Sequence, residues 1–79
     1  DITEKLPIKQ DARFLSGIFT QDFTFKLNSN RNYYLYVVSG TSTINNTLSI
    51  EGDGFSFTEE DEIIINPITE SEIILFDLK

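Results

Sequence analysis

Histidine, cysteine, methionine and tryptophan are all missing from this 79-residue chain. Without imidazole or thiolate there are no ordinary ligands for a zinc, copper or two-histidine iron centre. A Ser-His-Asp or Cys-His nucleophile cannot be assembled either. The lack of cysteine excludes disulfides and says little about compartment. Alanine occurs once, at Ala12, a poor basis for helices. No apolar run approaches the ~20 residues of a bilayer-spanning helix, and residues 1–10 show no signal-peptide pattern. The chain starts with Asp1, so it reads as a candidate piece of a longer protein, and a cytoplasmic location is expected.

Basic charge is also scarce. Six lysines and arginines face 13 acids, for a net charge of −7. The imbalance lies in the second half: residues 1–40 carry +1 and residues 41–79 carry −8. Such a surface repels phosphate backbones and anionic headgroups, so neither nucleic acid nor membrane is expected as a partner. A solvated acidic face serving solubility is the plainer reading of the charge. A chain this short forms one domain that buries only about 60% of its unfolded surface. Extra burial against a partner would therefore help it.

What the chain does contain is β-branched residues: 11 Ile, 8 Thr and 2 Val. These suit pleated strands. Residues 1–6 form a weak lead-in that Pro7 ends, and residues 8–11 an edge strand. Residues 12–20 read as a strand with a bulge at Gly17. Over residues 22–27, Phe23, Phe25 and Leu27 alternate inward against Asp22, Thr24 and Lys26. A polar loop, Asn28-Ser29-Asn30-Arg31-Asn32, follows. Residues 33–38 are apolar or aromatic throughout, which predicts cover on both faces. Asn45-Asn46 predicts a two-residue hairpin turn, because Asn tolerates positive φ. The strand after it should turn Leu48 and Ile50 inward and Thr47 and Ser49 outward. Gly52-Asp53-Gly54 makes another tight turn, then Phe55 and Phe57 point inward. Residues 63–65 and 72–78 supply the last strands. About eight short strands at this spacing predict an all-β sandwich or barrel.

Candidate chemistry is sparse. Gly52-Asp53-Gly54 lacks the Lys-Ser/Thr ending of a phosphate loop and reads as a turn. The acids Glu59, Glu60, Asp61 and Glu62 could hold calcium or pair for glycoside hydrolysis. Their spacing does not match the calcium-loop pattern, and any acidic domain offers carboxylate pairs, so a hydrated loop is the simpler reading. Tyr33, Tyr34 and Tyr36 could stack on a sugar or flavonoid ring, or simply fill the core. Asn45-Asn46-Thr47 fits a glycosylation acceptor, but the turn already explains Asn45. One pattern points outward. Ile74, Phe76 and Leu78 share one parity, and Ile73 and Leu75 take the other. A small barrel buries only one side of each strand. Part of the second set is expected to pack on another domain or subunit, unless the N-terminal segment covers it.

The order of these elements resembles a known family. Ile8-Lys9-Gln10-Asp11-Ala12-Arg13 is similar to the entry to the C-terminal cupin domain of pirin-like proteins. Tyr36-Val37-Val38-Ser39-Gly40 resembles its strand and glycine turn. Ile44-Asn45-Asn46-Thr47-Leu48 resembles its hairpin, with Asn46 where glycine is common. Gly52-Asp53-Gly54 and Glu72-Ile73-Ile74-Leu75-Phe76-Asp77-Leu78 resemble its later turn and closing strand. The resemblance covers residues 8–79 and implies a small cupin-type antiparallel β-barrel, or jelly roll.

In that family an N-terminal cupin holds a metal, usually iron, on histidines and a glutamate. Some members oxidise quercetin, and others act as transcription cofactors. The C-terminal cupin typically lacks the ligands and packs on the first. Aligned to the general metal-cupin pattern, the first-motif histidines would fall near Lys26 and Asn28, or one residue later. The glutamate would fall near Tyr33, and the second-motif histidine near Ile63. None of these is a good iron ligand.

The resemblance therefore implies a metal-free supporting domain with no catalytic residue and no cofactor of its own. Its expected partner is an N-terminal cupin of the same chain or of a second subunit. The enzymatic activity, a metal-dependent dioxygenase, would belong to the parent protein. The alternative is a small-ligand or carbohydrate-binding β-barrel using Tyr33, Tyr34 or Tyr36. Gly40, Asn45, Asn46, Gly52 and Gly54 are expected to set turn geometry.

Overall fold

A computed structural model describes residues 2–4 and 13–78. Nine strands run in order: β1 (Ile2–Glu4), β2 (Arg13–Phe19), β3 (Phe23–Lys26), β4 (Asn32–Ser39), β5 (Ser42–Ile44), β6 (Thr47–Ser49), β7 (Gly54–Phe57), β8 (Glu62–Pro67) and β9 (Ser71–Leu78). They form two antiparallel sheets, β1-β2-β9-β4-β7 and β3-β8-β5-β6. The all-β architecture expected from the β-branched composition is what forms, in the two-sheet arrangement of the jelly roll that the family resemblance implies. Among the described residues no helix is long and apolar enough to cross a membrane. The edge strand expected at residues 8–11 lies outside the described residues.

Alternation along the strands decides what lies between the sheets. Leu15 and Phe19 on β2, Tyr33, Leu35 and Val37 on β4, Ile63 and Ile65 on β8, and Ile73 and Leu75 on β9 are all buried. Phe57 and Ile44 complete the core. In β4 and β9 the pattern is strictly two-residue: Tyr34 and Tyr36 face out, as do Ile74, Phe76 and Leu78. So residues 33–38 are covered on one face only. The expectation for β9 is inverted as well. Ile73 and Leu75 belong to the domain's own core, and the other parity is left for the outer face.

Three further expectations need correction. Gly17 marks no bulge; β2 pairs with β9 in unbroken register from Arg13↔Asp77 to Phe19↔Ser71. The irregularity falls on β4 between Val37 and Ser39, opposite Ile73 and Glu72, leaving Val38 as the extra residue. Phe23 is exposed rather than inward, while Phe25 and Leu27 are half-buried against the core. Finally, Leu48 and Ile50 point to solvent and Ser49 is fully buried. The turn dictates this reversal. Asn45 and Asn46 have φ of 48° and 69°, a two-residue turn with both central residues left-handed. It pairs Ile44 with Thr47 and Ser42 with Ser49. Because Ile44 is in the core, Ser49 shares its face, and Leu48 must take the other.

Two glycines are required for different reasons. Gly40 has φ of +88°, and a Cβ there would collide with the Glu70 carbonyl and lie 2.6 Å from Ser71 Oγ. Gly54 gives room for Tyr34, whose ring crosses diagonally from β4 and would meet any Cβ at that position.

Candidate functional site

The three tyrosines do not form one site. Tyr33 is buried, and its hydroxyl accepts a 3.0 Å hydrogen bond from the Asn28 backbone N–H. Tyr34 and Tyr36 lie on the opposite side of β4, 39% and 38% exposed. Tyr34 packs near Phe76 with ring centroids 6.4 Å apart. The three tyrosines, read as core residues or as a stacking surface for a sugar or flavonoid ring, are thus divided between core and surface.

Leu15, Phe19, Phe25, Leu35, Ile63 and Leu75 help line an apolar cavity of about 20 Å³ between the sheets, space for about one water molecule. No buried side-chain nitrogen or oxygen among the described residues lacks a partner.

The cupin resemblance raises the question of a metal, and the donor set can be tested directly. Lys26 is an exposed ammonium bound to Glu62 at 3.1 Å. Asn28 is exposed, and Tyr33 is committed to the Asn28 backbone. Ile63 is fully buried and carries no donor atom. The residues at these positions do not fit a cupin metal. Glu59, Glu60 and Asp61 are exposed on their loop, and among the described residues no three acidic side chains gather into a metal-binding group.

Polar interactions that sequence reasoning missed hold the framework instead. Asp77 is 4% exposed and pairs with Arg31, its Oδ1 accepting from Arg31 Nε at 2.5 Å. The signal was present: Asp77 shares parity with Ile73 and Leu75, so a core-facing charge needed a base. Asn45 does more than turn the chain. Its backbone N–H donates to Ile64 O (2.9 Å), its Oδ1 accepts from Ile64 N–H (2.6 Å), and its Nδ2 donates to Glu62 O (3.2 Å). The side chain thus extends β5 by one residue along β8. Its amide is occupied by these bonds, so the turn reading accounts for Asn45 without a glycan. Ser42, Ser49 and Ser71 are fully buried, with Ser42 Oγ donating to Ser71 Oγ at 2.7 Å.

Comparison with known proteins now decides the family. The family model for the quercetinase C-terminal cupin domain matches residues 2–78. The chain belongs to that family. Among solved structures it is similar to the bacterial pirin YhhW of Escherichia coli, crystallised in complex with nickel(II). Identity is 28% and the TM-score 0.85, over 92% of this chain and 33% of that one. A second YhhW structure gives 27% identity and a TM-score of 0.84, over 91% and 32%. A cupin-2 domain protein of Shewanella frigidimarina shares the fold at 14% identity and a TM-score of 0.77, over 98% of this chain and 80% of that one. No curated protein matches. The chain spans about a third of the length of YhhW. The pirin-like resemblance of its turns and closing strand is therefore shown, and so is the cupin fold.

Proposed function

We propose that this chain is the metal-free, structural cupin of a pirin-like protein, docked on a metal-holding N-terminal cupin. The observation that carries this reading is the outer face of the five-stranded sheet. There Tyr34 pairs with Phe76 and Tyr36 with Ile74 by register, Leu78 follows Phe76 on the same side of β9, and Ile18 on β2 lies opposite Glu72, all half-buried or exposed. An apolar patch on a sheet face, in a domain with so thin a core, suits an interdomain contact. The share of YhhW that the chain covers leaves length for a second cupin in such a parent. A metal, nickel in that relative, would sit in the N-terminal cupin, because the positions tested here hold Lys26, Asn28, Tyr33 and Ile63. Dioxygenase chemistry would belong to the same cupin. This domain's own contribution would be to bury that cupin's face and stiffen its metal site.

The test is to place Tyr36→Glu and Leu78→Glu in the full-length protein. Both side chains are more than a third exposed, so the fold should tolerate the changes. The expected outcome is loss of cooperative unfolding, with two calorimetric transitions in place of one and easy proteolytic separation of the domains. An unchanged single transition would overturn the docking face. The ligand-binding alternative has less support, since Tyr33 is committed to the core. A saturable tyrosine fluorescence change with a sugar or flavonoid would revive it.

A further inference from the structure

One end of the outer face of the five-stranded sheet is hollow. Ile18, Ser39, Gly40, Glu70 and Glu72 line a surface pocket of about 280 Å³ there. By register, Glu72 on β9 lies between Ile18 of β2 and Ser39 of β4. Without the bulge on β4 the residue opposite Glu72 would be Val38; the extra residue puts Ser39 there instead. A small hydroxyl side chain thus replaces a branched apolar one beside the carboxylate. Gly40 adds no side chain, and none fits, because a Cβ there would strike the Glu70 carbonyl.

The charge of this pocket is unanswered among the described residues. Glu70 and Glu72 are both exposed. The described cations, Lys26 and Arg31, pair with Glu62 and Asp77. Among the described outward side chains of β2, β4, β7 and β9, Glu72 alone is charged, and Ile74, Phe76 and Leu78 follow it along β9. A carboxylate at the margin of an apolar contact is costly if the contact closes over it unpaired. A cation opposite it removes that cost and fixes orientation, which a face of tyrosines and aliphatic residues does poorly by itself. We propose, on the docking reading above, that this pocket receives a lysine or arginine side chain of the N-terminal cupin, held by Glu72 and Glu70. Ile18 suits the aliphatic stem of such a side chain, and the Ser39 hydroxyl suits its N–H groups.

The test uses the full-length protein, read by calorimetry and limited proteolysis. Glu70→Gln with Glu72→Gln should speed proteolytic separation of the domains about tenfold, and Glu72→Lys should speed it further, because cation then meets cation. Both positions are exposed, so the circular dichroism spectrum should hold in each variant. Glu59→Gln with Glu60→Gln removes the same charge from the loop after β7 and should change nothing. The gap between wild type and the Glu70→Gln, Glu72→Gln protein should narrow in about 1 M salt, which screens charges beyond ~3 Å. Tyr36→Glu with Leu78→Glu separates the two readings. If that pair uncouples the domains while the Glu70 and Glu72 variants behave as wild type, docking stands and the seated cation is overturned. If that pair leaves a single transition, docking fails and the seated cation fails with it. Equal effects from the two glutamine pairs would also overturn the proposal, since any loss of acid would then serve.

Discussion

At the scale of single residues, the glycines separate by what surrounds them. Gly40 and Gly52 both have left-handed φ, +88° and +93°. A Cβ at Gly52 meets nothing, whereas one at Gly40 strikes the Glu70 carbonyl and Ser71. Gly52→Ala should therefore cost only the left-handed strain, about 1–2 kcal/mol. Gly40→Ala should cost about 3 kcal/mol or more, because β9 must also move. Urea denaturation of the two variants checks the order, and equal midpoints would contradict it. Sequence alone marked both as turn glycines, since glycine after an apolar strand is a local signal. It gave no sign that Gly40 packs against residues 30 positions later, which is information held only in the fold.

At the scale of elements, the β5–β6 hairpin is the instructive case. The turn was legible because Asn-Asn tolerates the dihedrals it needs. Hydrophobicity does not choose the hairpin's faces, because the two-residue turn fixes the register from Ile44 onward. The hairpin's anchorage also escaped detection: Asn45 imitates a strand residue along β8, and nothing local distinguishes that from an ordinary turn asparagine. Asn45→Ala should lose its two side-chain bonds and leave the Ile64 N–H unpaired, costing about 2 kcal/mol. Asn46→Gly, at a φ of 69° that glycine adopts freely, should be neutral or stabilising by about 0.5 kcal/mol. Thermal melts of both variants provide the check, and a stabilising Asn45→Ala would refute the anchoring role.

At the scale of the whole molecule, an all-β sandwich or barrel followed from composition and turn spacing, and the jelly roll from the family resemblance. The strands' two-sided apolarity was equally visible, but which parity would face out was not. That choice depends on which strands enter which sheet, and β9 sits between β2 and β4 only after long-range pairing. The candidate site followed the same course: the absence of histidine was plain, whereas the division of Tyr33 from Tyr34 and Tyr36 needed the register. On the proposed docking against an N-terminal cupin, the 79-residue chain alone should melt about 5 °C or more below the same domain within the full-length protein. Calorimetry of both samples decides this, and coincident transitions would show that the face contributes no stability.

Tyr34 carries one more consequence. Its ring lies over Gly54, at the start of β7, which is the free margin of the five-stranded sheet. A bare glycine on such a margin leaves backbone amides open to any passing strand, the usual beginning of sheet-to-sheet aggregation. An aromatic ring laid across that glycine covers backbone that would otherwise be bare on this face. Tyr34 thus has a structural reason to stand partly exposed that involves no ligand at all.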